Sequence, residues 1–320
     1  MKFPTFAKAC CFLFSILPAV LFGEVTIEQN EDGIHVSASG QPVLNFQLKK
    51  IPPPEGMEAY YAGSGFIHPL WSPSGRILTD PFPVGHAHQH GIFSAWTRTT
   101  FHGERVDFWN KHRLTGYNEA VSVDKVKEHS FRVTRQMVSR EFGPAILETW
   151  DVHVEEGDGV YIIDIALRQK TATDEPVHVR EFHYGGFAFR GSATWNSDGD
   201  PAYESPMRIL TGLGTTNLEE ANNERPGWFS AYGPIKGEAA GVVIMDHPSN
   251  FRHPQPVRIH PVMPYFVFSP PILGSLDIQP GNVYQAGYRI IAFDGEPVKE
   301  LLDKWYAAYK DTALDSYFMN

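Results

Sequence analysis

From Glu24 onward, apolar and polar residues alternate in short runs broken by glycine and proline, and that period of two commits most of the chain to β-strands. Val25 and Ile27 alternate with polar neighbours as far as the turn Glu31-Asp32-Gly33. Ile34, Val36 and Ala38 repeat the pattern, and Leu44, Phe46 and Leu48 follow Gly40-Gln41-Pro42. The alternation returns over 145–154, turns at Gly157-Asp158-Gly159, and resumes through Tyr161, Ile163 and Ile165. Further strand-like runs cover 177–190, 240–246, 265–269 and 284–293. One stretch has a helical period: Val298, Leu301, Leu302, Trp305 and Tyr309 share a face after Pro297, which predicts a helix over about 297–310 on the outside of a sheet. Many short strands with one terminal helix predict an all-β fold, a large antiparallel β-sandwich occupying 24–320 as one domain. Two loop-rich insertions, 51–83 and 191–234, are long enough to shape a site on such a sheet.

Residues 1–23 read as a signal peptide. Lys2 and Lys8 precede a short apolar stretch that ends at Leu21-Phe22-Gly23, so a secreted or periplasmic location is expected, by cleavage or with the segment kept as an anchor. No later run has the length of a spanning helix, and no membrane insertion is expected beyond that segment. The only two cysteines, Cys10 and Cys11, fall inside it, so the rest of the chain has neither disulfide nor thiolate chemistry. A net charge of -10 argues against nucleic acid as a partner and leaves neutral substrates, cations, or an anion met by a local arginine cluster.

The densest chemistry is His86-Ala87-His88-Gln89-His90. If this segment is extended, all three imidazoles leave one face, and the strand would continue through Ile92-Phe93-Ser94-Ala95-Trp96. Such a face suits a general base beside a substrate-holding histidine, or the ligands of a divalent zinc, copper or iron ion. Glu181 and His183 are expected to share a strand face and could complete either arrangement. Arg190 and Arg289, in or at strands, could neutralise a substrate carboxylate; Asp246 and His247 end a strand; Trp109 and Trp228 offer faces for stacking on sugar rings. The catalytic candidates are thus His86, His88 and His183, with His90, Trp109, Arg190, Trp228, Asp246, His247 and Arg289 as substrate-binding candidates. Metal-ligand candidates are His86, His88, His90, Glu181 and His183. No Gly-x-Ser-x-Gly elbow, phosphate-cradling loop or His-Glu-x-x-His helix is present.

His68-Pro69-Leu70, Ser72-Pro73-Ser74-Gly75, the histidine segment through Trp96, Val106-Asp107-Phe108-Trp109, Asp246-His247-Pro248 and Tyr288-Arg289 together resemble the bacterial domain family labelled "methane oxygenase PmoA", itself a domain of unknown function. The resemblance implies a secreted protein in a carbohydrate context and a sandwich of the galactose-mutarotase kind. The label implies a metal-dependent oxidase. The expected function is therefore an exported carbohydrate-active enzyme (hydrolase, lyase or epimerase), with a non-catalytic carbohydrate-binding protein and a metal-dependent oxidase as alternatives.

Overall fold

The computed structural model describes residues 24–197 and 199–319; the expected signal segment, with Cys10 and Cys11, lies outside them. The described chain is almost entirely β. Two antiparallel eight-stranded sheets pack face to face, and a four-stranded sheet joins Thr99–Phe101 and Glu104–Val106 to Val177–Val179 and Leu276–Ile278. The first large sheet runs from Val25–Gln29 at one edge, through Ile92–Trp96, Gly185–Arg190 and Tyr265–Phe268, to Val257–Ile259 at the other. The second includes Gly143–Glu156, Val160–Thr171, Glu238–Asp246 and Tyr284–Asp294. Inward residues of both sheets make one core, with Phe46, Phe187, Phe189 and Phe266 meeting Trp150, Ile163, Ile244 and Tyr288. No helix among the described residues is long and apolar enough to cross a membrane.

The expected antiparallel sandwich with a helix near the C-terminus is what the chain forms. That helix spans Lys299–Lys310 and starts later than its period suggested, because Val298 is the extended residue at its N-terminus and Pro297 stands outside. Leu302 and Tyr309 are buried and pack with Trp228, Val243, Met245, Ile291 and Phe293 on the outer face of the second sheet. Val298 and Leu301, from the same helical stripe, stay exposed. The run 177–190 is not one strand: it breaks between Val179 and Gly185, and that break places residues 180–184 in a loop.

A polar network interrupts the sandwich core. Arg135 and Glu148, both 1% exposed, form an ion pair, and Glu148 also accepts hydrogen bonds from Ser94 Oγ (2.6 and 2.8 Å) and Gln169 Nε2 (2.7 Å). Trp96 Nε1 donates to Gln169 Oε1 at 2.7 Å, and the Arg135 guanidinium lies 4.5 Å from the Trp150 ring centre. Each buried charge is thereby paired and hydrogen-bonded, the condition under which such a pair is tolerated.

Candidate functional site

Strand parity divides the middle of the first sheet. Ile92, Phe187, Phe189, Phe266 and Phe268 point into the sandwich, whereas Phe93, Ala95, Ala188, Tyr265 and Val267 form a separate cluster on the opposite face, with Trp109 and Phe66 laid over it. Arg190 pairs with Tyr265 in the sheet register and shares that outer face, and so does Arg258, which pairs with Val267. The Trp109 ring packs against Phe93 (4.7 Å between centres) and Tyr265 (5.9 Å).

The histidine segment crosses above this face as two tight turns and is not a strand. His86 N donates to Pro83 O and Gln89 N donates to His86 O, while Gly85 and Gly91 both have positive φ. Gly91 fastens the segment down: its N–H donates to Asp80 O, its carbonyl accepts from Arg190 N, and a Cβ there would lie 2.1 Å from Ile67 O. The turns separate the three imidazoles. His86 and His88 face one hollow of about 380 Å³, lined also by Tyr61, Gln89, Trp109, Asn110, His112 and Tyr184. His90 turns inward and does not line it. His90 is 2% exposed, stacks 4.8 Å from Phe66, and places Nδ1 2.5 Å from Pro81 O. A carbonyl can only accept, so Nδ1 carries the hydrogen and Nε2 is left to accept from Lys111 Nζ at 2.9 Å. The same ammonium reaches Ala62 O (2.9 Å) and Tyr61 O (3.3 Å), so three donors meet three acceptors. Gly63 makes this closeness possible, since a Cβ there would stand 2.7 Å from Lys111 Nζ.

Inside the hollow the rings of His86 and His88 are 5.5 Å apart. His112 lies 5.4 Å from His88, and His260 lies 5.5 Å from His86. The Tyr61 ring stacks toward His88 at 6.5 Å. Burial, and then the nearby His86, His112, Lys111 and Arg190, push the His88 pKa down to about 3, so this imidazole is neutral over the physiological range. Burial also draws Lys111 down to about 7 and places His90 well below its ordinary value. Beneath the segment Arg190 is fully buried and donates to Gln89 Oε1 at 3.2 Å. Burial raises the neighbouring Asp80 to about 6 against the pull of Arg190.

The other expected residues lie elsewhere. Glu181 and His183 are on the exposed loop 180–184, not on a strand face, and His183 rests against Phe182 and Tyr184. Trp228 is 1% exposed under the terminal helix and donates to Asp303, so it offers no open stacking face. Asp246, at the end of its strand, accepts from Asn250, His253 and Gln255, and His247 bonds Ser249 and the Thr312 carbonyl; together they organise a turn. Arg289 forms a two-pronged bond with Asp164 at 2.8 Å in a different hollow. Trp109 does reach the imidazoles, but as a buried wall, 3% exposed. The sequence reading passed over Tyr61, Lys111, His112 and His260. Lone histidines and a lone lysine carry no local signal, and only the fold brings them to the segment.

Among the described residues no three His, Cys, Asp or Glu side chains converge in a metal-holding arrangement. The ligand set expected from His86, His88, His90, Glu181 and His183 is dispersed: two imidazoles share the hollow, one is buried behind it, and two residues are on another loop. No carboxylate lines the hollow among the described residues.

A family model described as a family of unknown function, DUF6807, matches residues 33–307. A search among curated proteins found no match. Among solved structures the chain is similar to heparan sulfate lyase HepC from Pedobacter heparinus, with TM-score 0.37, 9% identity and coverage of 86% of this chain and 35% of that one. It thus spans about a third of that lyase. A GalM/aldose epimerase homologue from C. elegans gives TM-score 0.37 and 11% identity over 86% of this chain and 100% of that one. GH36 α-galactosidase AgaA from Geobacillus stearothermophilus gives TM-score 0.32 and 10% identity over 85% and 41%.

Proposed function

This chain belongs to the family of unknown function DUF6807, and we propose that it is an exported carbohydrate-active enzyme working in the hollow of His86 and His88. One observation carries the reading: a buried, neutral imidazole stands beside a second imidazole in a cavity walled by Tyr61, Trp109 and Tyr184. Aromatic walls suit the apolar face of a sugar ring. A neutral imidazole can take a proton. Paired carboxylates, the usual requirement for glycoside hydrolysis, are not among the described lining residues, and this favours proton abstraction, in epimerisation or elimination, over hydrolysis. Burial and neighbouring cations are what hold His88 unprotonated, so a substrate bearing negative charge would raise its proton affinity on binding. Acidic sugars are therefore the preferred substrates, with His88 as base, His86 as its partner in moving the proton, and Arg190 as the buried cation beneath.

The test is to incubate the purified protein with neutral and acidic mono- and oligosaccharides in D2O and follow loss of ring C–H signals by proton NMR. Exchange or elimination is expected with acidic sugars, and His88→Ala is expected to slow it at least about 100-fold. Full activity in His88→Ala would sink the assignment. Glycan affinity without exchange, surviving His86→Ala/His88→Ala, would mark a binding protein instead. Activity that follows added copper, iron or zinc would mark a metal-dependent oxidase.

A further inference from the structure

The loop between Val106 and Leu114 has a second hollow on its other side. Arg98, Arg105, Val106, Asp107, Arg113 and Thr115 line a cavity of about 310 Å³, and all three arginines are exposed. Three guanidinium groups around one cavity stand out in a chain with net charge -10. Asp107 is the carboxylate in that lining, and its oxygens are already taken by Trp109 N (3.0 Å), Asn110 N (2.8 Å) and Asn110 Nδ2 (2.9 Å). Arg113 is 3.9 Å from Asp107, and among the described residues Arg98 and Arg105 form no ion pair. Arg98 has φ +45, a left-handed conformation that costs a side-chain-bearing residue free energy, and its guanidinium lies 3.8 Å from the Phe182 ring centre.

Two independent links join this cavity to the imidazole hollow. Asp107 holds the backbone of Trp109 and Asn110, both of which line the other side. Phe182, under Arg98, packs 5.9 Å from Tyr184, which also lines it.

We infer that the Arg98–Arg105–Arg113 cavity is a second subsite, which grips an oxyanion of an acidic oligosaccharide one or more units away from the sugar in the imidazole hollow. This rests on the carbohydrate reading of that hollow. Guanidinium forks match carboxylate and sulfate ester oxygens alike. The ligand is accordingly a polyanionic glycan and not an isolated acidic monosaccharide.

Calorimetric titration of the full chain, at low salt, decides it with three probes: galacturonate, an oligogalacturonate, and a sulfated oligosaccharide of matched length. Arg98→Gln/Arg105→Gln, which spares the Arg113–Asp107 pair, is expected to weaken the acidic oligomers at least about tenfold. The monosaccharide should be unaffected, and the salt dependence of oligomer binding should shrink. Whichever oligomer loses more identifies carboxylate or sulfate as the anion. Oligomer affinity unchanged in the double variant, or no oligomer binding by the wild type, overturns the subsite. Deuterium exchange into galacturonate that withstands His86→Ala/His88→Ala instead overturns the imidazole hollow, whatever the arginines do.

Discussion

His88 and His90 are two residues apart and do different work because each is held by different atoms. His90 is locked between the Pro81 carbonyl and the Lys111 ammonium and acts as a brace, whereas His88 has an aromatic and imidazole surround open to ligand. The buried imidazoles set a sign for the pH response. His68, His88 and His90 all have folded-state pKa values below the ordinary 6.5, with His68 at about 4 and His88 at about 3. Between those values and about 6.5 the unfolded chain binds more protons at these three sites than the folded one, so their contribution is full above about pH 6.5 and is lost on acidification. It is opposed in part by Asp80, whose raised pKa of about 6 favours the folded state as the pH falls. Urea unfolding midpoints measured from pH 7 to pH 4 should drop, and His88→Gln should drop less steeply. Activity carries the same signature: the acid limb of kcat/KM should lie below about pH 5 and not near the ordinary histidine value. A limb near pH 6.5 would show that another group takes the proton.

At the scale of strands and loops, alternation told most of the truth. It located the strands at 145–154, 240–246 and 284–293 because each has one wet and one dry side or lies wholly in the core. It overlooked the long strands Gly116–Val126 and Ser130–Ser139, where charged residues punctuate both faces. It also offered an extended histidine segment as the condition for a shared imidazole face. Period two across five residues is equally compatible with consecutive turns, and Gly85 and Gly91 decided for turns. The candidate site shows in the sequence as a place on the chain, but not as a set of partners, since Tyr61 and His112 reach the hollow, and His260 the His86 ring, from distant segments. The strands also test the core network. Glu148→Gln removes the charge that Arg135 needs and should cost about 3–5 kcal/mol in chemical denaturation, whereas Arg135→Met/Glu148→Leu, which removes both charges, should cost less. Equal losses in the two variants would mean that Ser94 and Gln169 carry the network without the ion pair.

For the whole molecule, each sheet has an outer face, and the two are used differently. The second sheet is roofed by the helix Lys299–Lys310, whose Leu302 and Tyr309 cover Trp228, Met245 and Phe293. Truncation after Pro297 should uncover that apolar face and convert the protein to aggregates detectable by light scattering. A truncated chain that stayed monodisperse would show the helix to be dispensable. Among the described residues no helix roofs the centre of the first sheet; Trp109 and loops stand over Phe93, Ala95, Ala188 and Tyr265 and leave the imidazole hollow beside them. Because those side chains alternate with the ones that hold the sandwich together, the scaffold can be re-lettered on one side only. Anyone seeking to redirect this protein to a new ligand would vary the loop positions that stand over that side and line the hollow, 61, 110, 112 and 184, and leave the strands beneath alone, much as a keyboard can be relabelled without rebuilding its frame.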